Sequence, residues 1–74
     1  MTVSTLNNPY EKGSVTHRDF EGSLSHFNAQ TDETLTGSLT MYENRAKDPS
    51  FTDEQLDYFE RECRAIQTVL DSRK

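Results

Sequence analysis

The stretch from Phe51 to Lys74 carries a legible start, seam and end of one amphipathic helix, and nothing else in the chain restricts the fold as strongly. Thr52 has the chemistry of an N-cap, its hydroxyl accepting a backbone N–H of the first turn, and Gln55, three residues on, can reach back to the Thr52 amide. Together they read as a capping box. Phe51 precedes the cap and Leu56 follows it by four residues, the spacing of a hydrophobic staple, while Pro49 keeps the helix from starting earlier. Beyond the cap, Leu56, Phe59, Cys63, Ile66 and Leu70 recur at alternating steps of three and four, which sets them along one side of a 3.6-residue helix. Asp53, Glu54 and Asp57 crowd the first turns, and Arg73 and Lys74 close the far end, so charge complements the helix dipole. Asp57 with Arg61 and Glu60 with Arg64 are acid-first surface pairs, each worth only ~0.3–0.5 kcal/mol.

A chain of 74 residues makes one small domain at most, and one of this length buries only about 60% of the surface its unfolded form exposes. Its hydrophobic share of 31% and mean hydropathy of −0.92 are low for a globular protein. Either part of the chain lies outside a core, or another chain completes the core. A single cysteine, Cys63, excludes an internal disulfide framework and a cysteine-based zinc site, and its place on the apolar seam reads as a packed small hydrophobe. The formal charge of −5 and pI near 4.8 disfavour nonspecific nucleic-acid binding and favour a basic partner surface. No apolar run approaches the length of a membrane span, and Met1 to Pro9 lacks the basic start and apolar centre of a secretory signal, so a cytoplasmic protein is expected.

Two weaker helices precede the strong one. Thr16 followed by Asp19 resembles a helix start, with Val15 and Phe20 in the staple positions and Phe20, Leu24 and Phe27 as a short seam. Gly22 lowers helix propensity by about 1 kcal/mol relative to alanine, so this helix needs tertiary support. From a cap at Thr31, Leu35, Leu39, Tyr42 and Ala46 form another seam, which the short Lys47-Asp48-Pro49-Ser50 link folds back as an antiparallel hairpin. Residues 34–42 also alternate apolar and polar in the manner of a strand; the acids after Thr31, the bases Arg45 and Lys47 and the lack of partner strands favour helix. The expected architecture is all-α, a small helical hairpin or three-helix bundle over residues 15–74, with helices near 17–28, 32–47 and 53–72. Residues 1–14, with Asn8-Pro9-Tyr10 and Gly13, read as a flexible N-terminal arm.

The last helix has a second stripe, Tyr58, Ala65 and Val69, roughly a quarter turn from the main seam at ~100° per residue. One neighbour cannot cover both. Either the first helix covers this stripe within the chain, or Tyr58 and Val69 meet another molecule, in which case Val69→Asp would abolish association and spare helicity. Glu62 lies between the stripes, where full burial without a cation is costly, so it calls for a rim partner such as Arg45 or a charged contact in an interface. Tyr58, Glu62, Ala65 and Val69, with Tyr10 as an exposed aromatic on the arm, form the candidate partner-binding set.

No catalytic, cofactor or metal residues are nominated. His17 and His26 lack metal-site spacing and read as solvated, and Gly13, Gly22 and Gly37 build no phosphate loop. The acids between Asp53 and Glu62 suggest a DNA mimic, but Arg61 and Arg64 interrupt the charged surface, and no helix carries a basic, base-reading face. An enzyme is not expected. The favoured reading is an interaction module, an inhibitor or adaptor of a protein with a basic or apolar surface. In size and acidity the chain resembles the small accessory proteins of phages and mobile elements, which would place it in a host cytoplasm. The alternative is a self-assembling structural or ligand-sequestering homo-oligomer, with Tyr10, Lys12 and Arg18 near an anionic ligand.

Overall fold

The computed structural model describes residues 6–74 as three helices, α1 (Val15–Asn28), α2 (Asp32–Ala46) and α3 (Asp53–Ser72), with no strand among the described residues. The ambiguous stretch 34–42 is helical throughout. Each helix opens on a hydroxyl cap in extended conformation, as the preference of serine and threonine for this position dictates. Thr52 Oγ1 accepts from the Gln55 amide at 3.2 Å and Gln55 Oε1 accepts from the Thr52 amide at 2.9 Å, so the capping box is formed. Thr31 accepts from the Thr34 amide at 3.2 Å.

The start of α1 corrects the sequence reading. Its cap is Ser14, whose Oγ accepts from the His17 amide at 3.0 Å, and not Thr16. The cause is a turn over Glu11 to Ser14, closed by Ser14 N–H donating to the Glu11 carbonyl at 3.1 Å. Gly13 supplies the positive φ of +91° that this turn needs and that a side chain rarely tolerates. Val15 thereby becomes the first helical residue and stands 65% exposed, no longer a staple.

Both α1 and α2 pack on α3, which makes α3 the central element of a flat molecule measuring 38 × 31 × 15 Å. Tyr42 lies against Phe59, ring centroids 6.1 Å apart, while Asp32 at the other end of α2 meets Arg73, which makes the α2–α3 pair an antiparallel hairpin. Arg73 also fixes the α1–α2 corner: its guanidinium donates to Asp32 Oδ1 at 2.6 Å and to the Asn28 carbonyl at 2.9 Å. The core comprises Phe20, Leu24 and Phe27 of α1, Leu35 of α2, and Ala65, Ile66 and Val69 of α3, joined by Leu6 from the N-terminal segment. Among the described residues no helix is long and apolar enough to cross a membrane.

The expected mobile arm is bound to the bundle over residues 6–14; its first five residues lie outside the described part. Leu6 is 8% exposed. Asn8 Nδ2 donates to the His17 carbonyl at 3.1 Å and to Glu21 Oε1 at 3.0 Å, and Asn8 Oδ1 accepts from the Tyr10 amide at 3.1 Å. The Tyr10 ring meets the Phe20 ring edge-on at 5.1 Å and lies under the Arg64 guanidinium at 5.6 Å. Leu6→Ala should therefore lower stability by about 2 kcal/mol, the low end of the leucine-to-alanine range because Leu6 lies on an irregular segment outside the helices, which can collapse into the space left. Urea denaturation measures this, and an unchanged midpoint would mean that the segment contributes nothing to the core.

Candidate functional site

Of the five candidate partner-binding residues, Ala65 and Val69 have no accessible surface. They pack with Leu24, Phe20 and Leu6 inside one chain, so a partner reaches them only if the helices part. Burial therefore does not follow one stripe: Ala65 and Val69 are as deep as Ile66 of the main seam, whereas Leu56, Cys63 and Leu70 of that seam are only half-buried. Tyr10 is half-buried between Phe20 and Arg64, and its hydroxyl accepts from Arg64 Nη1 at 3.3 Å. Arg18 lines a groove between α1 and α3 that neither Tyr10 nor Lys12 lines.

Tyr58 remains open, 45% exposed. It belongs to an aromatic cluster that closes the hairpin end of the molecule. Its ring stands nearly perpendicular to Tyr42 at 6.4 Å and lies 5.7 Å from Phe59, which in turn meets the half-buried Phe51 at 4.9 Å. The Arg45 guanidinium covers the Phe59 ring at 5.8 Å. Desolvation, and then the nearby Glu62 carboxylate, push the Tyr58 phenol above its ordinary value near 10, so it stays protonated and able to donate at neutral pH.

Glu62 is 8% exposed and faces α1, where Ser23 Oγ donates to its Oε1 at 2.6 Å. The expected rim partner Arg45 is engaged on Phe59, and among the described residues no Lys or Arg nitrogen lies within ion-pairing distance of Glu62. Between α1 and α3 a groove of about 410 Å³ opens above this carboxylate, with Phe20, Ser23 and Glu62 within and Tyr58, Arg18 and Arg61 on its sides. Arg61 is already paired with Asp57 one turn earlier on α3. A Cβ on Gly22 would meet no atom within 4 Å, so the glycine leaves the wall of the groove low. Ser23 was not singled out from the sequence. The available signal was a small polar residue within the Phe20 to Phe27 seam, facing a helix with one carboxylate between its apolar stripes.

The other reactive groups are quiet. Burial, followed by the charge of Glu43, pushes the Cys63 thiol up, away from the thiolate form that nucleophilic chemistry requires. His17 sits 3.7 Å from Glu21, and His26 shares a hydrogen bond with Gln30 at 2.9 Å. Among the described residues no group of three or more His, Cys, Asp or Glu side chains is placed to hold a metal ion. Comparison with protein-family models, with curated proteins and with solved structures finds no match for this chain.

Proposed function

We propose that this chain is a cytoplasmic protein–protein interaction module that docks through the Tyr58 end of α3 and acts on its partner as an inhibitor or adaptor. The single observation that carries the reading is Tyr58 itself, a large aromatic side chain 45% exposed beside the half-buried rings of Tyr42 and Phe51. Exposed tyrosines on a rigid aromatic base supply contact area at little conformational cost and are over-represented among residues that dominate binding energy. Asp53, Glu54 and Asp57 on the same end of the helix favour encounter with a basic surface.

Tyr58→Ala tests this directly. Because the ring is half in solvent, its removal should cost the fold no more than about 1 kcal/mol, with helicity and mass unchanged. Affinity for the partner captured from cell extract by the unmodified chain should fall at least about tenfold. Met41→Gln, on α2, should leave that capture intact. Equal capture by the unmodified chain and Tyr58→Ala overturns the proposal. So does a stable homodimer in light scattering that Tyr58→Ala dissociates, which would make the same ring a self-assembly contact.

A further inference from the structure

We infer that the α1–α3 groove is a subsite for one basic side chain, an arginine or lysine of the partner protein, received by the Glu62 carboxylate beside the ring of Tyr58. This rests on the reading of the Tyr58 end as a docking surface and specifies what the partner must bring to it.

The groove holds an electrostatic imbalance. Glu62 is more than nine-tenths buried, yet its one hydrogen-bond partner among the described residues is a neutral hydroxyl, Ser23 Oγ at 2.6 Å, on a single oxygen. A carboxylate withdrawn from water and given one neutral donor lacks the compensation that buried charges ordinarily have. Its second oxygen has no hydrogen-bond partner among the described residues, and Glu62 lines the groove. The chain offers little of its own to fill that position. Arg61, on the groove side, is held by Asp57; Arg45 is held over Phe59; Arg64 is held at Tyr10; and exposed Arg18 stands beyond ion-pairing distance.

The walls suit a cation in the same way. Tyr58 presents exposed aromatic surface beside Glu62, and a guanidinium or ammonium against a ring face gains an attraction that grows as water is excluded. About 410 Å³ accommodates one long side chain and not a folded element. The aliphatic stem would lie along Tyr58 while the charged head reaches Glu62, the arrangement that long basic residues adopt when the head has a polar target. Arg18 and Asp19 carry opposite charges along the groove and Arg61 is paired with Asp57, so Glu62 supplies the uncompensated charge of the site.

The test is a titration of the full chain, followed by amide and side-chain NMR shifts, with two short capped peptides that differ only in carrying arginine or norleucine. The arginine peptide should give saturable shifts centred on Ser23, Tyr58 and Glu62, and the norleucine peptide none. Glu62→Gln, which keeps an oxygen for the Ser23 hydroxyl, should weaken binding by about tenfold or more, the effect of losing a charge-assisted contact. Tyr58→Leu should weaken it several-fold with the fold intact, which keeps the inference testable if Glu62→Gln is unstable. Glu33→Gln, on the exposed side of α2, should have no effect. Shifts spread over the whole acidic surface, or binding unaltered by either groove variant, overturn the inference. Spermidine binding the groove more tightly than the peptide would overturn the assignment to a protein side chain. If captured partner is lost by Tyr58→Ala but kept by Glu62→Gln, the docking reading stands and the basic subsite falls. If both variants keep it, the docking reading falls as well.

Discussion

Val69→Asp is expected to leave the chain without a cooperative thermal transition and with most of its helical circular dichroism lost. Val69 has no accessible surface and belongs to the cluster that joins α1 to α3. An ionised carboxylate placed there has to be desolvated at a cost of several kcal/mol. The loss of valine packing adds to that cost. A single core in a chain of this size supplies only about 3–5 kcal/mol, so one such substitution exceeds the available stability. Tyr58→Asp, on the same helix but half in solvent, should keep its helicity and melt close to the unmodified protein. Retained helicity in Val69→Asp would mean that the outer stripe of α3 is not covered from within, and that the sequence expectation of an association-only effect was right.

Leu35→Ala is the second large effect, at about 3 kcal/mol within the usual range for a buried leucine. Leu35 is the one buried residue of α2, the others on that seam being only partly covered. The cavity opens where α2 enters the core, near the Arg73 clamp on Asp32. Urea denaturation should show a lower midpoint at unchanged slope if the three helices unfold together. A loss below about 1 kcal/mol would mean that α2 is held chiefly by its exposed end, by Tyr42 against Phe59 and Tyr58, and not by its apolar anchor.

The parts of the fold that could be read in the sequence are those decided within a few residues. The Thr52–Gln55 capping box, the Thr31 cap and the Asp57–Arg61 pair all form, and the helices over Asp32–Ala46 and Asp53–Ser72 match their expected bounds within a residue. The α1 cap was misplaced because Thr16 and Ser14 are equivalent as local chemistry, and the turn at Gly13 selects Ser14. The rest depended on contacts between residues far apart in the chain. Tyr10 meets Arg64 across 54 positions and Ser23 meets Glu62 across 39, and no local pattern encodes either. The depth of the two α3 stripes has the same origin. Periodicity finds both, but which one α1 seals depends on how it lies across α3, and on Leu6 returning to close the core. Sequence reading did find Glu62 as the residue that needed an explanation. What it could not give was the groove beside that carboxylate, or the seating of Arg45 over Phe59 and of Arg64 over Tyr10.

The central claim is that one chain closes its own core over Ala65 and Val69 and leaves Tyr58 and the Glu62 groove for a partner. Amide hydrogen exchange of the isolated protein, followed residue by residue at low and high protein concentration, tests it most directly. The account predicts that the amides from Ala65 to Val69 exchange only through global unfolding, with the same protection as Leu24, and that this protection does not change on dilution. Protection of that segment that fades as the protein is diluted would contradict it, because the core would then be completed by a second molecule.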